Sequence, residues 1–446
     1  MALERSVSPA GASAVGNSKM AAPRAYTATL SRLPAGMALF KSLHVRLRAD
    51  QLSPLSRLLH AGARACCASA APEAEFTAAV TPQDPRDITA NEPRAIFRTA
   101  QADPALHSES HAGRFYTISP SDLATVFPHG LPRRFYQQMR TFQEASLMVR
   151  PPALELIALL KGSDLSLPVV RYVIYGKKGT GKSMTLCHAV HYCASQGWMV
   201  LHVPDAHQWL KDVRQLMPSA FRPGRVDTPM QAVSWLGHFR TTNERLLKQM
   251  TTRSSYSWSK RESTEQGRPL LEMIELGLLR PKVASDVVGA LFKELKQQSA
   301  AMAQPLLVAV DSVNALWGRT SLRNEDRSIV NVEDVTLLRN LKKFVLNDWS
   351  NGAMVSTVTQ TGSLYTNRLS YFPQELLGKD GFDLLDPFVP VQVNDYSELE
   401  FESCYQYYLE RKWLQHEKSR TEEGRQELIF LSNRNPSLFE RISTFL

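Results

Sequence analysis

The octapeptide Gly176-Lys177-Lys178-Gly179-Thr180-Gly181-Lys182-Ser183 constrains this chain more than any other feature. It fits G-x-x-x-x-G-K-[ST], which forms a phosphate-binding P-loop only between a buried strand and a helix. Both flanks supply that context. Residues 169–175 are β-branched and aromatic enough to predict a buried strand, whereas 184–192 contain no Gly or Pro and predict a helix. Glycines let the backbone turn its N–H groups onto a polyphosphate, and the helix dipole adds about half a positive charge at that end. Lys182 is placed to reach the β- and γ-phosphates, and Ser183 to offer its hydroxyl to Mg²⁺. All eight residues are therefore predicted nucleotide contacts.

A second motif follows at Leu306-Leu307-Val308-Ala309-Val310-Asp311. Five apolar residues predict a buried strand, and an Asp at its C-terminal end would face the loop and hold Mg²⁺ through water, as a Walker-B aspartate does. Further strands are predicted at 198–203, 353–358 and 388–393. The tip Thr359-Gln360-Thr361 would put Gln360 where a γ-phosphate could be sensed. Strands alternating with helices predict an α/β fold, a parallel sheet covered on both faces. Its expected divisions are a leader at 1–72, an extended arm at 73–130, and a P-loop NTPase core at 131–395. The core carries a helical insertion near 228–299, and a helical lid covers 396–446. His188 and His191 read as packing or surface positions, and Tyr405, Tyr407 and Tyr408 as core rather than base-stacking residues.

Hydrolysis needs a group that polarises water, usually a carboxylate or Gln beside the γ-phosphate. The residue after Asp311 is Ser312, with Asn314 the nearest substitute, so hydrolysis is expected to be slow, absent or partner-dependent. No [NT]-K-x-D run follows the loop, so the residues leave GTP and ATP both open.

Charge is unevenly placed. The chain carries +9, but residues 1–72 alone hold +7, and the other 374 are close to neutral at +2. Composition alone therefore does not predict a general polyanion binder. Residues 1–72 are rich in Arg, Ala, Ser and Leu and poor in acids, as mitochondrial transit peptides are. Phe40, Leu43 and Leu47 fall at helical spacing among cations, and Met37 is a second candidate start. Five cysteines without C-x-x-C spacing point to a reducing compartment and no structural zinc. No apolar run approaches the ~20 residues of a membrane span.

Several separated segments resemble one family: Tyr175 through Ser183, Leu201–His207, Val308–Asp311, Asn314–Arg319, Gln360–Ser363, Pro373–Lys379 and Leu431–Leu438. It is the mitochondrial small-subunit ribosomal protein family also called death-associated protein three, and the resemblance runs from about Ile118 to the C-terminus. It implies an AAA+-like P-loop core, a place in the small subunit of the mitochondrial ribosome in the matrix, and a bound GTP or ATP (or the diphosphate) with Mg²⁺. By motif position Gly181, Lys182 and Ser183 carry over as phosphate and Mg²⁺ contacts, and Asp311 as the metal-side carboxylate. Implied partners are mitochondrial ribosomal proteins, small-subunit rRNA and large-subunit bridge contacts. The family's link to apoptosis implies the alternative, a regulatory NTPase switch, with weak GTPase or ATPase activity open in either case.

Overall fold

The computed structural model describes residues 96–211, 213–360 and 370–444. The leader 1–72 with Met37, residues 73–95 of the arm, and Thr361 of the strand tip lie outside them. Five strands, β1 (Val170–Tyr175), β2 (Met199–Val203), β3 (Leu306–Val310), β4 (Gly352–Thr357) and β5 (Val389–Gln392), form one sheet. Its order is β5-β1-β4-β3-β2, and every pairing is parallel.

Successive side chains on a strand point to opposite faces, so a parallel sheet must be covered twice. On one face Tyr172, Ile174, Leu307, Ala309, Ala353 and Val355 pack against α1 (Pro151–Gly162) and α2 (Lys182–Ser195). On the other, Val173, Leu201, Val203, Val308, Val310 and Met354 pack with α3 (Pro229–Leu247), α4 (Leu270–Leu279) and α5 (Pro281–Gln298). Each fully buried aliphatic side chain contributes roughly 1.5–3 kcal/mol. A one-residue slip of any strand would exchange its two faces, so packing fixes the register. The segment 228–299 thus lies within the main core, with Trp235, Phe239 and Leu291 against the sheet.

Residues 131–162 do not form one continuous helix. Helix Arg133–Phe142 and α1 are separated by strand Ser146–Met148, which pairs antiparallel with Phe115–Thr117. The first helix ends at its cap Gln143, whose backbone is left-handed (φ 56°), and Pro151-Pro152 set where the second begins, because a residue before proline is pushed to extended backbone while proline itself is tolerated in a first helical turn. Arg150 is extended accordingly, with φ −110° and ψ 147°. The described part of the arm is not simply extended, since it carries that first strand and helix Pro120–Val126.

The C-terminal helices α6 (Glu398–Glu410), α7 (Glu422–Ser432) and α8 (Pro436–Ser443) gather Phe401, Tyr405, Tyr407, Tyr408 and Phe439 into a third cluster with Phe115, Phe142 and Met148. The three tyrosines are buried there. His188 and His191 are buried as well; His188 meets His107 at 3.0 Å, and His191 meets the Tyr116 hydroxyl at 3.2 Å.

Candidate functional site

The loop leaves β1 at Gly176 and enters α2 at Lys182. Gly176 has φ +149°, and a Cβ there would sit 2.2 Å from the Val393 carbonyl oxygen. Gly179 (φ +85°) and Gly181 (φ +99°) also occupy backbone regions that disfavour side chains. Thr180 is sealed, its hydroxyl donating to the Lys177 carbonyl at 3.0 Å. The loop is held from outside by the C-terminal segment: Ser437 N–H donates to Gly179 O (3.1 Å) and Asn435 Nδ2 to Lys178 O (3.1 Å).

Lys182 Nζ donates to Gly176 O (2.8 Å) and Lys177 O (2.7 Å), so its ammonium rests on the loop it would leave for a phosphate. Burial pushes it down to about 8, against the opposing pull of Asp311. Asp311, one residue past β3, is buried, and burial raises its carboxyl even though Ser183 and Thr357 hydroxyls donate to it. Thr357 closes β4, the strand between the loop strand and the Asp311 strand. Its hydroxyl also accepts the Ser312 N–H at 2.9 Å, which fixes Ser312 in a left-handed turn at φ 62°.

Two cavities open on this point. One, of about 490 Å³, is lined by Lys178–Thr185 of the loop, by Asp311 and Thr357, and by Arg134, Tyr396 and Glu440 at its rim. The other, a groove of about 1460 Å³, shares Ser183, Asp311 and Thr359 with it and adds Asp205 and His207. The first lies within the 300–1,000 Å³ range of small-ligand sites. Ser183 and Asp311 suit Mg²⁺, which takes one or two protein oxygens and completes its shell with phosphate and water. Among the described residues no group of three or more His, Cys, Asp or Glu could hold a metal by itself.

Not every predicted contact is brought to the cavity. Gly176 and Lys177 do not line it, and Lys177 Nζ, exposed, pairs with Asp395 at 3.1 Å. Gln360 donates to Ser370 O at 3.1 Å and does not line either cavity, which take Thr359 instead. Asn314 is spent on Thr359, donating to its carbonyl (3.0 Å) and accepting its N–H (3.1 Å). Sequence reasoning missed Thr357, Arg150 and Asp205. Asp205 sits two residues past β2 as Asp311 sits one past β3, so the same signal, an acid at a strand tip, was present. Burial and the neighbouring Asp311 raise it to about 6. A short helix of four residues, Gln208–Lys211, follows it.

A family model described as mitochondrial ribosomal death-associated protein 3 matches residues 147–442. The chain belongs to that family. Small ribosomal subunit protein mS29 of Bos taurus is 56% identical over 353 residues, which span 79% of this chain and 89% of the relative. The protein of the same description in Mus musculus is 54% identical over 359 residues (80% and 92%), and that of Neurospora crassa 25% over 214 residues (48% and 44%). Among solved structures, the E. coli MS115-1 HORMA:CdnC:Trip13 complex aligns with 72% of this chain and 79% of its own at 12% identity. Its TM-score of 0.25 is too low to add to the description of the fold.

Proposed function

We propose that this chain is a structural component of the mitochondrial ribosome's small subunit, located in the matrix, which holds a purine nucleotide with Mg²⁺ in an AAA+-like P-loop core. Family membership and the mS29 relatives support the ribosomal part. No described helix is long and apolar enough to cross a membrane. One observation carries the nucleotide part: Lys182, Ser183, Asp311 and Thr357 converge at one cavity beside a loop whose backbone only glycine can follow. The sheet order, with β4 between the loop strand and the Asp311 strand, supports the AAA+-like assignment. Ser183 and Asp311 would hold Mg²⁺, which when bound neutralises phosphate charge. Lys182 would swing from its carbonyls to the β- and γ-phosphates. GTP and ATP both fit this description, with hydrolysis slow or absent.

Extraction of bound nucleotide from native protein, with chromatographic identification, tests the reading. Stoichiometric guanine or adenine nucleotide is expected, and its absence would overturn it. Co-sedimentation with small ribosomal subunits from washed mitochondrial lysate is expected; a soluble oligomer would favour a regulatory switch in cell-death signalling. Lys182→Ala should lower nucleotide retention and subunit assembly together, whereas normal assembly with an empty site would make the nucleotide dispensable.

A further inference from the structure

Nucleotide hydrolysis requires a group that orients and deprotonates water at the γ-phosphate, and neither residue offered by the sequence is free for it. Ser312 follows Asp311, and its hydroxyl is turned onto the Asp311 carboxylate at 3.4 Å. Asn314 is tied at both ends to the Thr359 backbone. The groove beyond Ser183 and Asp311 has only one other carboxylate among its described lining residues, Asp205. The two acids stand at the C-terminal ends of neighbouring parallel strands. Asp311 N–H donates to Val203 O (2.9 Å), and Ala206 N–H returns to Asp311 O (3.0 Å), so the two tips are stitched together. A single hydroxyl, that of Ser312, lies against both carboxylates. Asp205 is also pre-set: its Oδ1 accepts the His207 N–H at 3.0 Å, which holds the carboxylate in a local turn.

We propose that Asp205 is the carboxylate that polarises the attacking water when a nucleoside triphosphate occupies the loop. This rests on the nucleotide reading above. Asp311, holding the Ser183 and Thr357 hydroxyls, stays with the loop; Asp205, one strand further out, takes the water. The water oxygen attacks the γ-phosphorus, the bond from that phosphorus to the β,γ-bridging oxygen breaks, and its electron pair leaves with the diphosphate. The water proton passes to Asp205 and then to solvent. Products are a nucleoside diphosphate, inorganic phosphate and a proton.

The test uses the full chain with GTP and, separately, ATP in the presence of Mg²⁺, comparing wild type with Asp205→Asn. Retained triphosphate, single-turnover phosphate release and aluminium-fluoride-dependent trapping of the diphosphate are measured on the same preparation. Asp205→Asn should retain triphosphate within about threefold, release phosphate about 100-fold more slowly, at the low end of what a positioned base contributes, and lose the trapped complex. Asp205→Glu should recover part of both, and carries the test if the Asn variant does not fold. Equal phosphate release by wild type and Asp205→Asn, or none by wild type with triphosphate bound, would overturn the proposal. Retention of triphosphate by neither protein would remove the nucleotide reading and this proposal with it.

Discussion

Arg150 and Glu400 form a sealed ion pair, Nε to Oε1 at 2.7 Å, between residues 250 apart in the chain. Arg150 also donates to Thr180 O in the glycine loop (2.5 Å) and to Asn394 O (3.0 Å), and lies over the Tyr396 ring. Glu400 in turn accepts the Ser397 N–H at 2.7 Å, completing the capping box of α6. One guanidinium therefore ties loop, C-terminal helix and connecting strand end together.

Removing one member of such a pair leaves a buried charge without its partner, at a cost of about 3–5 kcal/mol. Arg150→Met and Glu400→Gln are each expected to lower the denaturation midpoint strongly. Arg150→Met should also weaken nucleotide retention, since the Thr180 carbonyl loses its donor. The double variant Arg150→Met/Glu400→Leu should be less destabilised than the two singles added together. Additivity in denaturant titrations would show that the pair is not coupled.

The glycines of the loop separate backbone strain from collision. At Gly179 a Cβ would come within 2.6 Å of Asn435 Oδ1 and 2.8 Å of Ser437 Cβ, on top of its φ of +85°. Gly179→Ala is expected to push the Asn435–Ser437 turn off the loop and to accelerate proteolysis near residues 433–437. Gly130→Ala is the control: φ is +81°, but nothing lies within 4 Å, so only the left-handed backbone penalty of about 1 kcal/mol applies. Equal cleavage of both variants would contradict the collision argument.

These contacts mark the limit of what the sequence could reveal. Short apolar runs made all five strands legible to within a residue or two: β1 to β4 are buried almost throughout, which leaves little alternative composition, whereas β5 at the sheet edge is only partly buried. The loop and Asp311 were legible for a different reason: their chemistry demands fixed residue types at fixed offsets. Arg171 shows the opposite case. A cation in a strand of the core gives no hint of its partners, yet its guanidinium donates to the carbonyls of Val345, Leu384 and Asp386. Arg150 and Asp205 were illegible on the same ground, since their roles come from residues far away in sequence or on a neighbouring strand.

Thr357 gives Asp311 a hydroxyl that no other group on β4 can replace. Thr357→Val preserves shape but leaves the buried carboxylate short of a donor, a loss of about 1–3 kcal/mol. It also frees the Ser312 N–H. Lower thermal stability with weaker Mg²⁺-dependent nucleotide retention is expected, and Thr357→Ser should restore both. Unchanged retention in Thr357→Val, measured by equilibrium dialysis, would dissociate Thr357 from the site.

Buried histidines set the acid limit of the fold. Burial is the leading cause of depression at His129, with His238 adding to it, and at His207, with Lys211 adding to it; each falls to about 4 from an ordinary 6.5. His202 and His188 are also lowered well below the ordinary value, for the same first reason. A ring whose folded value is depressed binds its proton more readily when unfolded, so stability is lost as pH falls below 6.5 and continues to fall toward 4. Between pH 6.5 and 5 each such ring contributes on the order of 2 kcal/mol of that loss at most. Thermal melts should therefore be flat from pH 7 to 8 and drop steeply from 6.5 to 5. Replacing His129 with Gln should lessen the slope, because that ring no longer charges on unfolding. A melting temperature independent of pH across the acid range would show that these rings accept protons without opening the fold.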